Sequence, residues 1–323
     1  MPEPAIITKL DLSELQPGRH DLWFRAAETG IGTPIDLPIV VLKGSPGRCV
    51  YLQAGLHGDE LAGVAVIHHL LDELAEVQLS GTIVAIPCAN PTGMLAHSRQ
   101  ARAASEGLTL TDLNREMPGQ ADSRNPNTRF AHALWDRLYA GQPDVFLDLH
   151  TMTHGNNFPF FVFADRRDPA VDRLVRLVPA DQIKDDPGEP GSVETEMVAT
   201  GVPAMTLELG ASKTFDPDLT RRGLQAVRNI LIDQKVIQGK PDMLGVTPFA
   251  GSEEINIRAA RGGFVDMHVA LNEPVAQGTL LATQHNAFGH RVADYTAPEA
   301  GRVLSIATDP MREPGALLVK LLK

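Results

Sequence analysis

Cys49-Val50-Tyr51-Leu52-Gln53-Ala54-Gly55-Leu56-His57-Gly58-Asp59-Glu60 decides how this chain is read. It opens as a short apolar, strand-like run and ends in a turn bracketed by Gly55 and Gly58. The residues that follow place Val64, Ile67, Leu71 and Leu74 three and four apart, the spacing of one buried helix face. Strand, tight turn and helix in that order are the unit of an α/β fold.

The same alternation continues outward. Strand-like runs at Leu37 to Lys43, Thr82 to Ile86, Val145 to Leu149, Phe160 to Phe163 and Ala204 to Leu209 are separated by helical stretches. One helix is predicted to start at Asp216-Pro217-Asp218 and to bury Leu224, Val227, Ile230 and Leu231. The expected fold is α/β, a mixed and mostly parallel sheet flanked by helices on both faces. In such sheets functional groups collect beyond the carboxyl ends of the strands.

Helical periodicity fades after Gly239, so residues 1–239 are expected to form the α/β domain. Residues 240–323 carry short strand candidates at Glu254 to Arg258, Phe264 to Val269, Thr279 to Ala282, Arg302 to Ile306 and Ala316 to Leu321. These predict a small all-β, sandwich-like C-terminal domain. An internal echo supports that reading, Gly263-Phe264-Val265 leading to Gly278-Thr279-Leu280 much as Gly301-Arg302-Val303 leads to Gly315-Ala316-Leu317. The doubled pattern is similar to lipoyl- and biotinyl-type sandwiches. A carrier domain needs a lysine between its halves, and Lys240 is followed by no other lysine until Lys320.

With 323 residues, 43% of them hydrophobic, the chain can bury a large core. A formal charge of −11 argues against nucleic acid or an anionic membrane as partner. No apolar run approaches the ~20 residues that cross a bilayer. The first sixteen residues lack the basic-then-apolar order of a secretory signal, and Cys49 and Cys88 sit in apolar stretches as buried free thiols. The expected location is cytoplasmic and the expected partner a small-molecule substrate.

His57 and Glu60 are three positions apart and can converge on one ion. Val145-Phe146-Leu147-Asp148-Leu149-His150 ends another buried run in a second histidine. Two histidines and one glutamate leave a tetrahedral zinc one open position, the catalytic rather than the structural arrangement. The H-x-x-E spacing also arises by chance, a carboxylate simply favouring a helix N-terminus. Asp148 shares a strand face with His150 and could orient either imidazole. In Asp112-Leu113-Asn114-Arg115 an amide beside a guanidinium suits a carboxylate. Glu208 interrupts the apolar run Ala204-Met205-Thr206-Leu207-Glu208-Leu209, a costly place for a carboxylate that is neither paired nor functional. Facing an attacking water, it is a candidate general base.

Taken in order, Gly55-Leu56-His57-Gly58-Asp59-Glu60, Asn90-Pro91, Asp112-Leu113-Asn114-Arg115, Asp148-Leu149-His150 and Thr206-Leu207-Glu208-Leu209-Gly210 resemble the succinylglutamate desuccinylase/aspartoacylase family, a branch of the zinc carboxypeptidase superfamily. The resemblance runs through the β-rich tail and covers nearly the whole chain. It implies one Zn2+ per chain held by His57, Glu60 and His150, with Glu208 as catalytic glutamate. It further implies that Asn114 and Arg115 hold the substrate carboxylate and that an arginine after the Asn-Pro turn stabilises the oxyanion. Arg99 fits that position, with Arg102 in competition, because Gln100 to Thr111 is longer than the family pattern. A homo-oligomer is compatible with the resemblance.

The implied activity is hydrolysis of the amide of a small N-acyl amino acid, of the N-acetyl-diaminobutyrate or N-succinyl and N-acetyl amino acid type. A zinc carboxypeptidase acting on peptides would use the same groups, and assays on short peptides separate the two. A non-catalytic binding protein that kept the fold would be expected to lack a ligand or the base, and here all are present. The absence of a G-x-S-x-G elbow argues against a serine hydrolase.

Overall fold

A computed structural model describes residues 3–104, 108–139 and 143–323. One large sheet organises the chain. Its strands in sequence order are β1 (Ala5–Ile7), β2 (Gly18–Glu28), β3 (Pro34–Lys43), β4 (Ser45–Ala54), β5 (Ser80–Ile86), β6 (Val145–Met152), β7 (Phe160–Ala164), β8 (Gln182–Asp185), β9 (Ala204–Ala211) and β10 (Phe249–Gly251). In space they lie in the order β1-β2-β3-β5-β4-β6-β9-β7-β8-β10. The β4–β5, β4–β6, β6–β9, β7–β8, β8–β10 and β1–β2 pairs are parallel. The β2–β3, β3–β5 and β7–β9 pairs are antiparallel, which makes the sheet mixed and mostly parallel as expected.

Helices α1 (Ala62–Glu73), α4 (Pro169–Val175) and α6 (Pro217–Asp233) cover one face. Helices α3 (Pro126–Leu134) and α5 (Val193–Ala199) cover the other, and the short α2 (Pro91–Leu95) lies near the strand ends. The spacing read from the sequence is what packs them. Ile67 and Leu71 of α1 are buried against Val227 and Ile230 of α6 within one core. Each such side chain contributes about 1.5–3 kcal/mol on leaving water. Asp216 caps α6 as expected, its Oδ1 accepting the backbone N–H of Asp218 at 2.9 Å and of Leu219 at 3.1 Å.

The central strands β6 and β9, and β4 from Cys49 onward, are buried because both faces are covered. Their apolar runs are therefore continuous, and they were legible. The early strand β2 was not. Burial alternates, with Leu22, Phe24 and Ala26 inside and Trp23 39% exposed, but the apolar Trp23 on the outer face and the polar residues around this short cluster hide that period in the sequence.

The C-terminal residues build two further sheets. One holds Glu254–Arg258, Leu317–Leu322, Gly301–Ala307 and Pro274–Val275, and the other Arg291–Thr296, Leu280–His285, Gly263–Met267 and Met311–Arg312. A separate apolar core fills the space between them, with Leu281, Val303, Leu318 and Leu321 fully buried. The two echo halves are the antiparallel pairs Gly263–Met267 with Leu280–His285 and Gly301–Ala307 with Leu317–Leu322. At the seam, Phe158 and Phe161 pack on Leu304 and Leu322, and Asn156–Asn157 pairs with Gly301–Ala307. β10 in turn extends the edge of the large sheet. Among the described residues, no helix is long and apolar enough to cross a membrane.

Candidate metal centre

The turn after β4 brings its histidine and glutamate inward together. The Glu60 N–H donates to the His57 carbonyl at 3.1 Å, closing the turn. Glu60 thus lies just before helix α1, which begins at Ala62. Gly58 is required here. A Cβ at that position would lie 2.1 Å from backbone atoms of Gly93 and Met94, so only glycine lets α2 approach.

His57 Nδ1, His150 Nδ1 and the two Glu60 oxygens converge. His57 Nδ1 is 3.0 Å from Glu60 Oε1, His150 Nδ1 is 2.9 Å from Glu60 Oε2, and the two Nδ1 atoms are 3.0 Å apart. All three residues are buried. A tetrahedral zinc with bonds of about 2.1 Å spaces its ligands about 3.4 Å apart, close to these separations. Two imidazoles and one carboxylate also match the donor preference of zinc. The residues fit the ion.

Each imidazole has a carboxylate behind it. His57 Nε2 is hydrogen-bonded to Asp112 Oδ1 at 2.9 Å, and His150 Nε2 is 2.8 Å from Asp148 Oδ2. Such partners fix ring orientation and leave Nδ1 for the ion. Asp148 is itself held by Gln53 Nε2 at 3.0 Å, and the Tyr139 hydroxyl donates to Gln53. Burial opposes a proton on His150, but the Asp148 and Glu60 charges outweigh it and raise its pKa well above the usual histidine range. Burial likewise opposes charge on Glu60, and the two histidines overcome it and hold its carboxyl below the usual range. Negative charge concentrated on such a cradle is what a divalent ion neutralises.

The role of Asp112 was missed in the sequence, where the amide and guanidinium two and three residues later drew the reading. Its Oδ1 accepts from His57 and its Oδ2 from Arg99 Nη2 at 3.2 Å, so one carboxylate aligns both. Arg99 also donates through Nη1 to Glu60 Oε1 at 2.8 Å and lines the cavity above the cradle. Arg102 lies on the strand Ala101–Ala103 and lines a different cavity. Residues 105–107 of the long stretch between Arg99 and Asp112 lie outside the described residues.

Glu208 stands beside His150 across the parallel β6–β9 pair. It is 8% exposed, and its Oε2 is buried without a hydrogen-bond partner. Burial first, and the Glu60 charge second, push its pKa up to about 8. An orphaned buried carboxylate oxygen is a costly feature that structure alone does not explain. Asn114 is buried, with Oδ1 accepting the Val193 N–H at 2.8 Å, which leaves its NH2 end as donor. Arg115 lies in the same cavity and donates to the Glu189 carboxylate. That cavity has a volume of about 450 Å³ and extends from the cradle to Glu254 and Lys320 of the C-terminal sheets. All seven residues singled out in the sequence line it.

Fold and cavity together define an α/β protein of the zinc-carboxypeptidase-like architecture. Residues 46–233 match the succinylglutamate desuccinylase/aspartoacylase catalytic domain, more than half the chain and all seven residues included, and the chain belongs to that family. It is 24% identical over 284 residues to the N-alpha-acetyl-L-2,4-diaminobutyric acid deacetylase of Halomonas elongata, spanning 82% of this chain and 79% of the relative. It is 28% identical over 227 residues to a succinylglutamate desuccinylase of Pseudomonas paraeruginosa, spanning 65% of each. Among solved structures, the product-bound ectoine utilization protein EutE (DoeB) of Ruegeria pomeroyi superposes with a TM-score of 0.84 at 21% identity, covering 95% of this chain and 96% of that one. A succinylglutamate desuccinylase from Silicibacter superposes at 0.83 and 21% identity over the full length of both. At those identities the structural likeness speaks to the fold.

Proposed function

We propose that this protein is a zinc-dependent amidohydrolase that removes the acyl group from a small N-acyl amino acid. The observation that carries the reading is the meeting of three buried ligand atoms about 3 Å apart with an unpartnered carboxylate on the next strand. The similarity to deacylases of acetyl-diaminobutyrate and of succinylglutamate supports this substrate type.

His57, Glu60 and His150 would hold one zinc, which when bound supplies Lewis acidity and a water of lowered pKa. Glu208 takes the proton from the attacking water. Its pKa of about 8 without the ion makes it a competent base once positive charge nearby draws it toward neutrality. Arg99, aligned by Asp112, faces the cradle and stabilises the oxyanion that develops on the acyl carbonyl, a contribution of about 3 kcal/mol per donor. Asn114 and Arg115 hold the carboxylate of the amine half. Glu208 then returns its proton to the departing amine. Glu254 and Lys320 add a wall from the C-terminal sheets, which favours a small substrate over an extended peptide.

Cys49 and Cys88 remain thiols, burial pushing them up to about 12 and about 11, which suits a reducing cytoplasmic setting. Metal analysis coupled to a panel of N-acetyl and N-succinyl amino acids and short peptides tests the proposal. We expect about one zinc per chain, hydrolysis of acyl amino acids, and loss of turnover on chelation that added zinc restores. Chelation-resistant turnover, or turnover of peptides alone, overturns it.

A further inference from the structure

We propose that Glu189 sets the specificity of this cavity, selecting N-acyl amino acids whose side chain carries a positive charge; the proposal rests on the amidohydrolase reading above. Arg115 is the cation assigned to the substrate carboxylate, and its Nη2 donates to the Glu189 carboxylate. Glu189 therefore stands where a substrate carboxylate has to bind. A carboxylate that takes the Arg115 guanidinium leaves Glu189 without its cation while both stay beside the same arginine. An ammonium on the substrate side chain restores the pair, and an uncharged side chain does not.

The rest of the outer wall offers no alternative. Lys184 Nζ is 2.6 Å from Asp186 Oδ2 and 3.5 Å from Glu254 Oε1, and Lys320 Nζ is 2.7 Å from Glu254 Oε2. These side chains are about four-fifths buried, so each lysine is committed to a carboxylate of its own. With Arg115 and Glu189, the wall holds three cations and three carboxylates. One incoming substrate carboxylate tips it to net negative, and the charge that balances it is a cation. A second substrate carboxylate would have to break one of the buried pairs, which is strongly unfavourable.

Glu189 is also aimed. Its N–H donates to Thr195 Oγ1 at 2.9 Å, and its carbonyl accepts the Ser192 N–H at 3.1 Å. The Gly188 N–H is held by Asp186 Oδ1 at 3.0 Å and the Gly191 N–H by Glu196 Oε1 at 2.9 Å. Pro187 and Pro190 restrict the same loop. The backbone is thus fixed, while the side chain, 61% exposed, can turn from Arg115 to a ligand.

The test compares kcat/KM of the zinc-loaded protein for Nα-acetyl-ornithine and for Nα-acetyl-norvaline, which has the same skeleton without the amine. The wild type is expected to favour the cationic substrate by about tenfold, the worth of one charge-assisted hydrogen bond. In Glu189→Gln that ratio collapses toward one. Glu189→Lys inverts the preference toward Nα-acetyl-glutamate. A ratio unchanged by either substitution, or a wild type that hydrolyses both substrates alike, overturns the role of Glu189 and leaves the amidohydrolase reading standing. A wild type that hydrolyses no acyl amino acid overturns both.

Discussion

Replacing Glu208 by Gln separates chemistry from architecture more sharply than any other change at this site. The amide keeps the shape of the carboxyl but cannot take a proton from water. Loss of a positioned general base costs ~10²–10⁴-fold in turnover. Glu208 makes no ion pair with His57, Glu60 or His150, so zinc content should stay at the wild-type level. Stability should move in the opposite direction to activity. The folded pKa of about 8 lies above the ordinary glutamate value of 4.5, so the folded state binds the proton more tightly. The metal-free wild type therefore loses stability as pH rises from 4.5 to about 8. At about 1.4 kcal/mol per pKa unit, the rise from 4.5 to about 8 corresponds to a penalty on the order of 5 kcal/mol, which Gln removes at high pH. The assays are steady-state kinetics, zinc by elemental analysis, and urea unfolding of the metal-free proteins at pH 5 and pH 8.5. Near wild-type turnover with zinc bound would refute the role of Glu208. Equal stability of the two apoproteins at pH 8.5 would refute the account of its strained burial.

Two further substitutions probe the surroundings. Asp112→Asn removes the charge that aligns His57 and Arg99; zinc affinity is expected to fall about 10–100-fold, and an unchanged constant in a chelator competition rejects that alignment. Glu194, 2% exposed, is pushed up to about 7 by burial first and by the Asp186 charge, partly offset by a hydrogen bond from Thr195. The fold thus weakens as pH rises from 4.5 to about 7, and Glu194→Gln should remove about 1–3 kcal/mol of that slope. Unfolding titrations at pH 5 and pH 8 showing the same wild-type-to-variant difference would contradict this.

The candidate ligands His57, Glu60 and His150, and Glu208 beside them, could be singled out because each interrupts or ends an apolar run that has little other reason to contain a polar or charged group. Glu208 is conspicuous between Leu207 and Leu209 because burial of both sheet faces leaves it as the one charged residue of the strand. Asp112 was harder to read. Its function lies in contacts with His57 and Arg99, 55 and 13 positions away, and no local pattern encodes them. Glu189 is more hidden still, an exposed glutamate in a proline- and glycine-rich loop whose partner Arg115 is 74 residues upstream. Strand Arg291–Thr296 escaped notice for a different reason. Its buried Tyr295 is flanked by exposed Asp294 and Thr296, so the apolar signal is too thin to mark a strand.

The geometry of the site follows from the position of β4, β6 and β9 in the sheet. The chain leaves β4 through α1 toward β5 on one side, whereas β6 and β9 lie on the other. The carboxyl ends of β4 and β6 therefore part at a topological switch point, where a crevice opens. His57 and Glu60 come from the turn after β4, and His150 from the end of β6. Glu208 comes from β9, one strand spacing of about 4.8 Å further on. That spacing matters chemically. Asp148, two residues before His150 on the same strand, stands behind the imidazole at Nε2 and not in the cradle. A carboxylate two strands away could not reach water beside the ion. The parallel register of Glu208 with His150 places the proposed base beside the three candidate ligands but on a strand of its own. A one-residue slip of β9 against β6 would turn Glu208 to the opposite face of the sheet and leave the three ligands without a base.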